Sequence, residues 1–231
     1  MSATITRLLG ASIIKKQIVA ITGLGLAGFV VFHLSGNLLI FLGPEAFNGY
    51  AEKFEKLGEL KWLPRAGLIL FAFLHVYFTI LVVLENREAR GSRYAVRNDF
   101  GSTSWAKKTM IYSGLLVFFF LFIHIGDFTL PEKTGPTTVV PGVADGESLG
   151  LYGLVWNSYL VWWRSLFYVI AVCCVGMHLS HGIQSVFQTM GINHPVYTPL
   201  IKRTSIAIGA VVAVGFASIP LFVLIVRTPP V

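Results

Sequence analysis

Six histidines occur in this chain of 231 residues, and five of them, His33, His75, His124, His178 and His181, stand inside or at the end of long apolar runs. A neutral imidazole offers one basic nitrogen and one N–H, so it can ligate a metal, relay a proton or tie two helices together. Inside a bilayer an ionisable side chain must find a partner, which makes each a candidate functional residue. For any one of them alone, a hydrogen bond between helices is an equally good account. Four runs each supplying a histidine, with no Asp or Glu well inside any run, ask for a shared partner. The two cysteines do not supply it. Cys173 and Cys174 are neighbours in an apolar run, with no CxxC and no CxxCH, so a cysteine-held iron–sulfur cluster and covalently attached haem are excluded and buried structural thiols are expected.

The elements that position these histidines follow from composition. Hydrophobic residues make up 55% of the chain and charged residues 13%, against roughly 25% charged in soluble domains. Five apolar stretches cover about 17–42, 63–84, 110–128, 162–187 and 205–226, each near the ~20 residues that cross a hydrocarbon core. The expected architecture is all-α: one domain over 1–231, an integral membrane bundle of five transmembrane helices with no soluble catalytic domain. The first apolar run is too long for a signal peptide and lacks a small-residue cleavage site.

The net charge of +7 is spread between apolar runs, with no basic patch interleaved with aromatics, so the partner is a lipid bilayer and not nucleic acid. Arg7, Lys15, Lys16, Arg87, Arg90, Arg93, Arg97, Lys107, Lys108, Lys202 and Arg203, 11 of the 18 basic residues, belong to one side of an odd-numbered bundle. The positive-inside bias therefore places the N-terminus in the cytoplasm and the C-terminus outside. Trp62, Trp105, Trp156, Trp162 and Trp163 fall near helix ends, where an interfacial aromatic belt is expected.

Depth then sorts the histidines. His33 lies about nine residues from the outer end of the first helix, or roughly 13 Å. His124 lies about four or five residues from the outer end of the third. His75 and His178 lie about nine or ten residues from the inner ends of the second and fourth. Two pairs at two depths result: His33 with His124 outside, and His75 with His178 inside. Bis-histidine ligation between facing helices is how a bundle holds low-spin haem b, so the expectation is two b-type haems forming an electron path across the membrane. Gly23, Gly25, Gly28, Gly36, Gly176 and Gly182 offer room for a flat macrocycle, although each fits ordinary helix packing as well.

Several stretches carry a family resemblance: Lys15-Lys16 through Thr22-Gly23-Leu24, Phe32-His33-Leu34 with Gly36-Asn37-Leu38, Glu45-Ala46-Phe47-Asn48, His75, and Phe122-Ile123-His124. The last runs from His178-Leu179-Ser180-His181-Gly182 to Met190-Gly191-Ile192-Asn193-His194-Pro195. In this order they resemble the five-helix dihaem cytochrome b subunit of succinate:quinone oxidoreductases, the succinate dehydrogenases and fumarate reductases, over essentially the whole chain. The resemblance implies haem ligation by His33, His75, His124 and one histidine of the fourth helix. His178 and His181 share a face. The family's ligand lies about a dozen residues before a Trp-Gly or similar pair ending the helix, a place taken here by Met190-Gly191, which selects His178 and leaves His181 for a propionate.

The resemblance further implies an anchor in the cytoplasmic membrane of a prokaryote. Such a subunit carries a flavoprotein and an iron–sulfur protein on the cytoplasmic face, with the dicarboxylate site on a partner, and exchanges electrons with menaquinone or a related quinone. A dimer of heterotrimers is an open arrangement. Glu55 resembles a position proposed to take the quinol proton, and a carboxylate beside a quinol hydroxyl is a sensible base; a solvated loop helix with Lys neighbours is the plainer account. Some fumarate-reducing members carry a glutamate two residues before the fourth-helix ligand, where this chain has Gly176, and with no buried carboxylate in sight that proton route is expected to be absent. The alternatives are a cytochrome b subunit of a hydrogenase or formate dehydrogenase and, further off, a small transporter, against which the lack of internal repeats and broken helices counts.

Overall fold

The computed structural model describes residues 12–89 and 105–229. Arg7, Arg90, Arg93 and Arg97, which entered the topology reading, lie outside them. Among the described residues seven α-helices follow one another: α1 Ser12–Asn37, α2 Pro44–Glu55, α3 Trp62–Glu88, α4 Trp105–Phe128, α5 Gly150–Leu160, α6 Trp162–Thr189 and α7 Tyr197–Val226. Five segments are long and apolar enough to cross a membrane, Ser12–Leu42, Gly58–Glu88, Thr109–Phe128, Trp162–Thr189 and Tyr197–Val226. The chain is thus an all-helical, multi-pass membrane protein. The helices run past the apolar stretches, since Glu85 to Glu88 extend α3 and Lys202 and Arg203 lie inside α7. Hydropathy marks the hydrocarbon thickness, and a helix continues wherever its backbone can stay hydrogen-bonded.

The spans pack unevenly. Gly176 of α6 and Gly209 of α7 each face the other's carbonyl, bringing those two helices into the closest contact in the bundle. The first span packs on α3, α6 and α7, and α4 packs on α6. By contrast α3 has no buried residue and packs substantially on α1 alone, so it does not close on α4 or α6. Lys15, buried near the start of α1, forms an ion pair with Glu85 and clamps the far ends of α1 and α3 together.

The largest buried cluster lies at one end of the bundle, where the ends of the spans meet the connections between them. After α1 a 3₁₀ turn, Leu38–Leu42, leads to Gly43 at φ 93 and Pro44 at the start of α2. A glycine is needed at that φ, and proline suits a first helical position. Ile40, Phe47, Val140, Val143, Tyr152, Val155, Trp156 and Tyr159 form one buried cluster there, hereafter the capped end. Asn48 ties it together, its Nδ2 donating to the Leu149 carbonyl at 2.9 Å and its Oδ1 accepting from Tyr152 N–H at 3.0 Å. The Pro/Gly-rich connection therefore has a structural role: 3₁₀ turns at Pro136–Thr138 and Ala144–Gly146 and a Val139–Ser148 bridge fold it down as a lid on α5.

Two expectations are corrected here. Trp156 is not part of an interfacial belt: it is 0% exposed, its indole N–H donating to the Arg227 carbonyl at 3.2 Å. Trp62, Trp162 and Trp163 remain exposed near helix ends, and the Trp105 side chain lies outside the description. The cysteines are not both buried either. Cys173 is exposed and Cys174 half-buried.

Candidate functional site

Depth read from sequence places His33 beside His124, and the structure does bring them together. Their ring centres lie 5.8 Å apart at 83°. A single metal between two imidazoles, with metal–nitrogen bonds of about 2 Å, needs ring centres roughly 6 Å apart. The His33 ring stacks on Phe29 at 5.3 Å and 15°, and Asn37 Nδ2 sits 3.3 Å from its nitrogens. His124 is walled by Phe120, Phe128 and Tyr168. Its Nδ1 is buried without a hydrogen-bond partner, an arrangement native interiors rarely leave.

The second pair sits deeper, away from the cap. His75 of α3 lies against α1, its Nδ1 3.1 Å from the Val19 carbonyl and 3.3 Å from Thr22 Oγ1. Gly23 makes this possible, since a Cβ there would stand 2.8 Å from His75 Cε1. His178 of α6 lies against α4, its Nδ1 3.2 Å from Ser113 Oγ with the Met110 carbonyl as a further acceptor. Gly114 clears the way, its imagined Cβ 3.2 Å from His178 Cε1. His75 and His181 both lie within coulombic range of His178. His181 is one turn further along the same face of α6.

The glycines divide differently from expectation. Gly23 faces His75, Gly25 faces Phe71, Gly36 faces Tyr50 and Gly176 faces Gly209, so these four serve packing between elements. Only Gly28 and Gly182 of the six look into open space. Among the described residues α3 packs substantially on α1 alone, leaving its sides toward α4 and α6 without close packing. Among the described residues no three His, Cys, Asp or Glu side chains converge. His33 and His124 are in ring contact, and a donor set of two imidazoles would suit a metal whose other ligands come from a macrocycle such as a porphyrin.

Sequence reasoning missed one group. Asp127, one turn beyond His124 at the very end of α4, is a half-buried carboxylate. It accepts from Arg164 at 2.6 Å and from the Tyr168 hydroxyl at 2.7 Å. With Gly126, Asn157, Ser158 and Arg164 it lines a cavity of about 350 Å³ at the capped end. The signal was an Asp one turn from a histidine, and it was passed over because it stands at a helix end.

Glu55 lies in the last turn of α2, exposed, paired with Lys61 and with Arg65 at 3.2 Å. The hydrogen bond from Lys61 holds its carboxyl below the usual carboxylate range, with the charges of Lys61 and Arg65 helping. Lys133, whose ammonium donates to the Phe128 and Pro131 carbonyls, is close enough to feel the Glu55 charge.

No family model matches the chain, and neither the curated proteins nor the solved structures yield a match.

Proposed function

We propose that this chain is a dihaem cytochrome b anchor subunit of a succinate dehydrogenase or quinol:fumarate reductase. In this reading it passes electrons between a menaquinone-type pool and iron–sulfur and flavoprotein partners on the cytoplasmic face of a prokaryotic membrane. The observation that carries the reading is the layered pairing of histidines. His33 and His124 face each other near the capped end, and His75 and His178 are each held against a glycine nearer the other end. Haem b at each pair supplies one-electron redox chemistry. The chain's own residues hold and orient: His33 and His124 would ligate the outer haem, His75 and His178 the inner, with His181 near an inner propionate. On this reading the capped end faces outward, and the unclosed sides of α3 admit the macrocycles.

The orphaned His124 Nδ1 and the Asp127–Arg164–Tyr168 group adjoin the outer pair. Arg164 and Tyr168 hold the carboxylate oriented, so a proton reaching this end has an ordered acceptor within one turn of a ligand. The deciding experiment is haem b per chain in the purified complex, by pyridine haemochrome and reduced-minus-oxidised spectra. Two are expected; none would return the histidines to helix packing.

Glu55 is proposed as a second proton acceptor on the outer face. Replacing it with Gln should leave both haems and slow quinol turnover, and unchanged turnover would remove the role. Its depressed folded pKa means the Lys61 and Arg65 pairing is complete above the unfolded carboxylate value and fades only as pH falls through the lower folded one. The turnover profiles of wild type and Glu55→Gln should therefore run parallel from about pH 6 upward, where ordinary carboxylates are already ionised.

A further inference from the structure

The two deeper histidines are held by the same device twice. On α1 the Thr22 hydroxyl donates to the Ile18 carbonyl at 2.6 Å. A hydroxyl has one proton, so Thr22 Oγ1 can only accept from His75, whose Nδ1 is also 3.1 Å from the Val19 carbonyl. A carbonyl never donates, so Nδ1 carries the proton and Nε2 carries the lone pair. On α4 the Ser113 hydroxyl donates to the Met110 carbonyl at 3.1 Å, and His178 Nδ1 meets the same serine at 3.2 Å. The serine's one proton is spent on the Met110 carbonyl, so Ser113 Oγ can only accept from His178 and Nδ1 again carries the proton.

In both places a glycine follows the hydroxyl residue and lets the ring lie on the backbone. In both places a leucine comes next and a histidine of the other pair stands eleven residues beyond the hydroxyl: Thr22-Gly23-Leu24 to His33, and Ser113-Gly114-Leu115 to His124. Eleven residues make about three turns and roughly 16 Å, so hydroxyl and histidine share a face of each helix at two depths. The α1–α3 and α4–α6 hairpins carry the same short motif and use it the same way. The outer histidines lack this device: Asn37, a donor through Nδ2, sits by His33, and His124 Nδ1 has no partner.

We propose that Thr22 and Ser113 are matched positioning residues that fix the tautomer and plane of His75 and His178 and raise the basicity of their Nε2 atoms. The proposal rests on the haem reading above. A ligating imidazole whose other N–H is hydrogen-bonded is a stronger donor to its metal, and a stronger axial donor favours the ferric state. Losing the hydroxyl should therefore move the haem held by His75 and His178 to higher potential and leave the other haem where it is.

The test uses the purified complex with Thr22→Val and Ser113→Ala, read by redox titration of the haem spectra and by low-temperature electron paramagnetic resonance. The expected result is two haems per chain, an upward shift confined to one of them, and a moved low-field signal for that same haem. Thr22→Ser and Ser113→Thr, which keep the hydroxyl, should restore both readouts. Potentials and signals equal to wild type in both deletion variants at full haem content would overturn the proposal, as would a shift of the other haem. Should Thr22→Val lose haem, retention in Thr22→Ser supports the hydroxyl's role, and loss in both overturns it. A wild-type complex without haem overturns the haem reading itself; a two-haem wild type with unmoved variants overturns this inference alone.

Discussion

On the proposed dihaem reading, replacing His33 or His124 with alanine is expected to lower the haem content from two per chain to one, with the surviving haem unchanged in spectrum and potential. The two rings meet at 5.8 Å and share no other candidate ligand of their own kind. Removing either therefore leaves a single axial donor, and a low-spin bis-histidine site cannot form. Replacing His75 or His178 should remove the other haem, and on the anchor reading it should also prevent assembly with the soluble partners. His194, held in a turn beside Tyr197, is the control whose replacement should cost no haem. Pyridine haemochrome on purified variants decides the matter. Two haems retained in both His33→Ala and His124→Ala would sink the pairing.

Gly176→Glu is expected to prevent stable assembly instead of opening a proton route. Some fumarate-reducing members of the family that the sequence resembles carry a glutamate at this position, so on the proposed reading the substitution has the look of a restoration. In this chain α7 fills that space. A Cβ on Gly176 would run into the Gly209 carbonyl and stand 2.7 Å from the Ala213 Cβ. Overpacking of this kind costs about 1–3 kcal/mol, and an unpaired carboxylate in mid-membrane adds about 2.5–3.5 kcal/mol. Together these are a large fraction of the ~5–15 kcal/mol that holds a folded domain together. Gly176→Ala should show the first part of the effect alone. Thermal stability of the detergent-solubilised complex, followed by gel filtration, separates the cases. A Gly176→Glu protein that melts with wild type would show that α7 yields easily.

What was legible in the sequence depended on how local its cause is. Five spans could be read because a bilayer demands ~20 apolar residues wherever a chain crosses it, whatever the neighbours do. The facing of His33 and His124 could be read because helix rise converts residue counts into depth. Trp156 was misplaced because its position near a helix end says nothing of the cluster that buries it, to which Ile40 and Phe47 come from more than a hundred residues away and Val140 from the connection folded over it. Asp127 was passed over for a similar reason, since its partners Arg164 and Tyr168 come from another helix. The purposes of Gly23, Gly114 and Gly176 were out of reach too, because a glycine states only that room is needed and never for what.

The eleven-residue step shared by α1 and α4 constrains how this chain can change over generations. Each of these helices carries a hydroxyl–glycine seat for one layer and a histidine of the other, so its rotational setting belongs to both layers at once. One residue inserted between Thr22 and His33, or between Ser113 and His124, would swing the far partner by about 100° around the helix and point it out of the bundle. Only changes of whole turns in both helices together would keep the layers aligned, and those would also alter the distance between them. Length along these two stretches is therefore expected to tolerate change less than side-chain identity does.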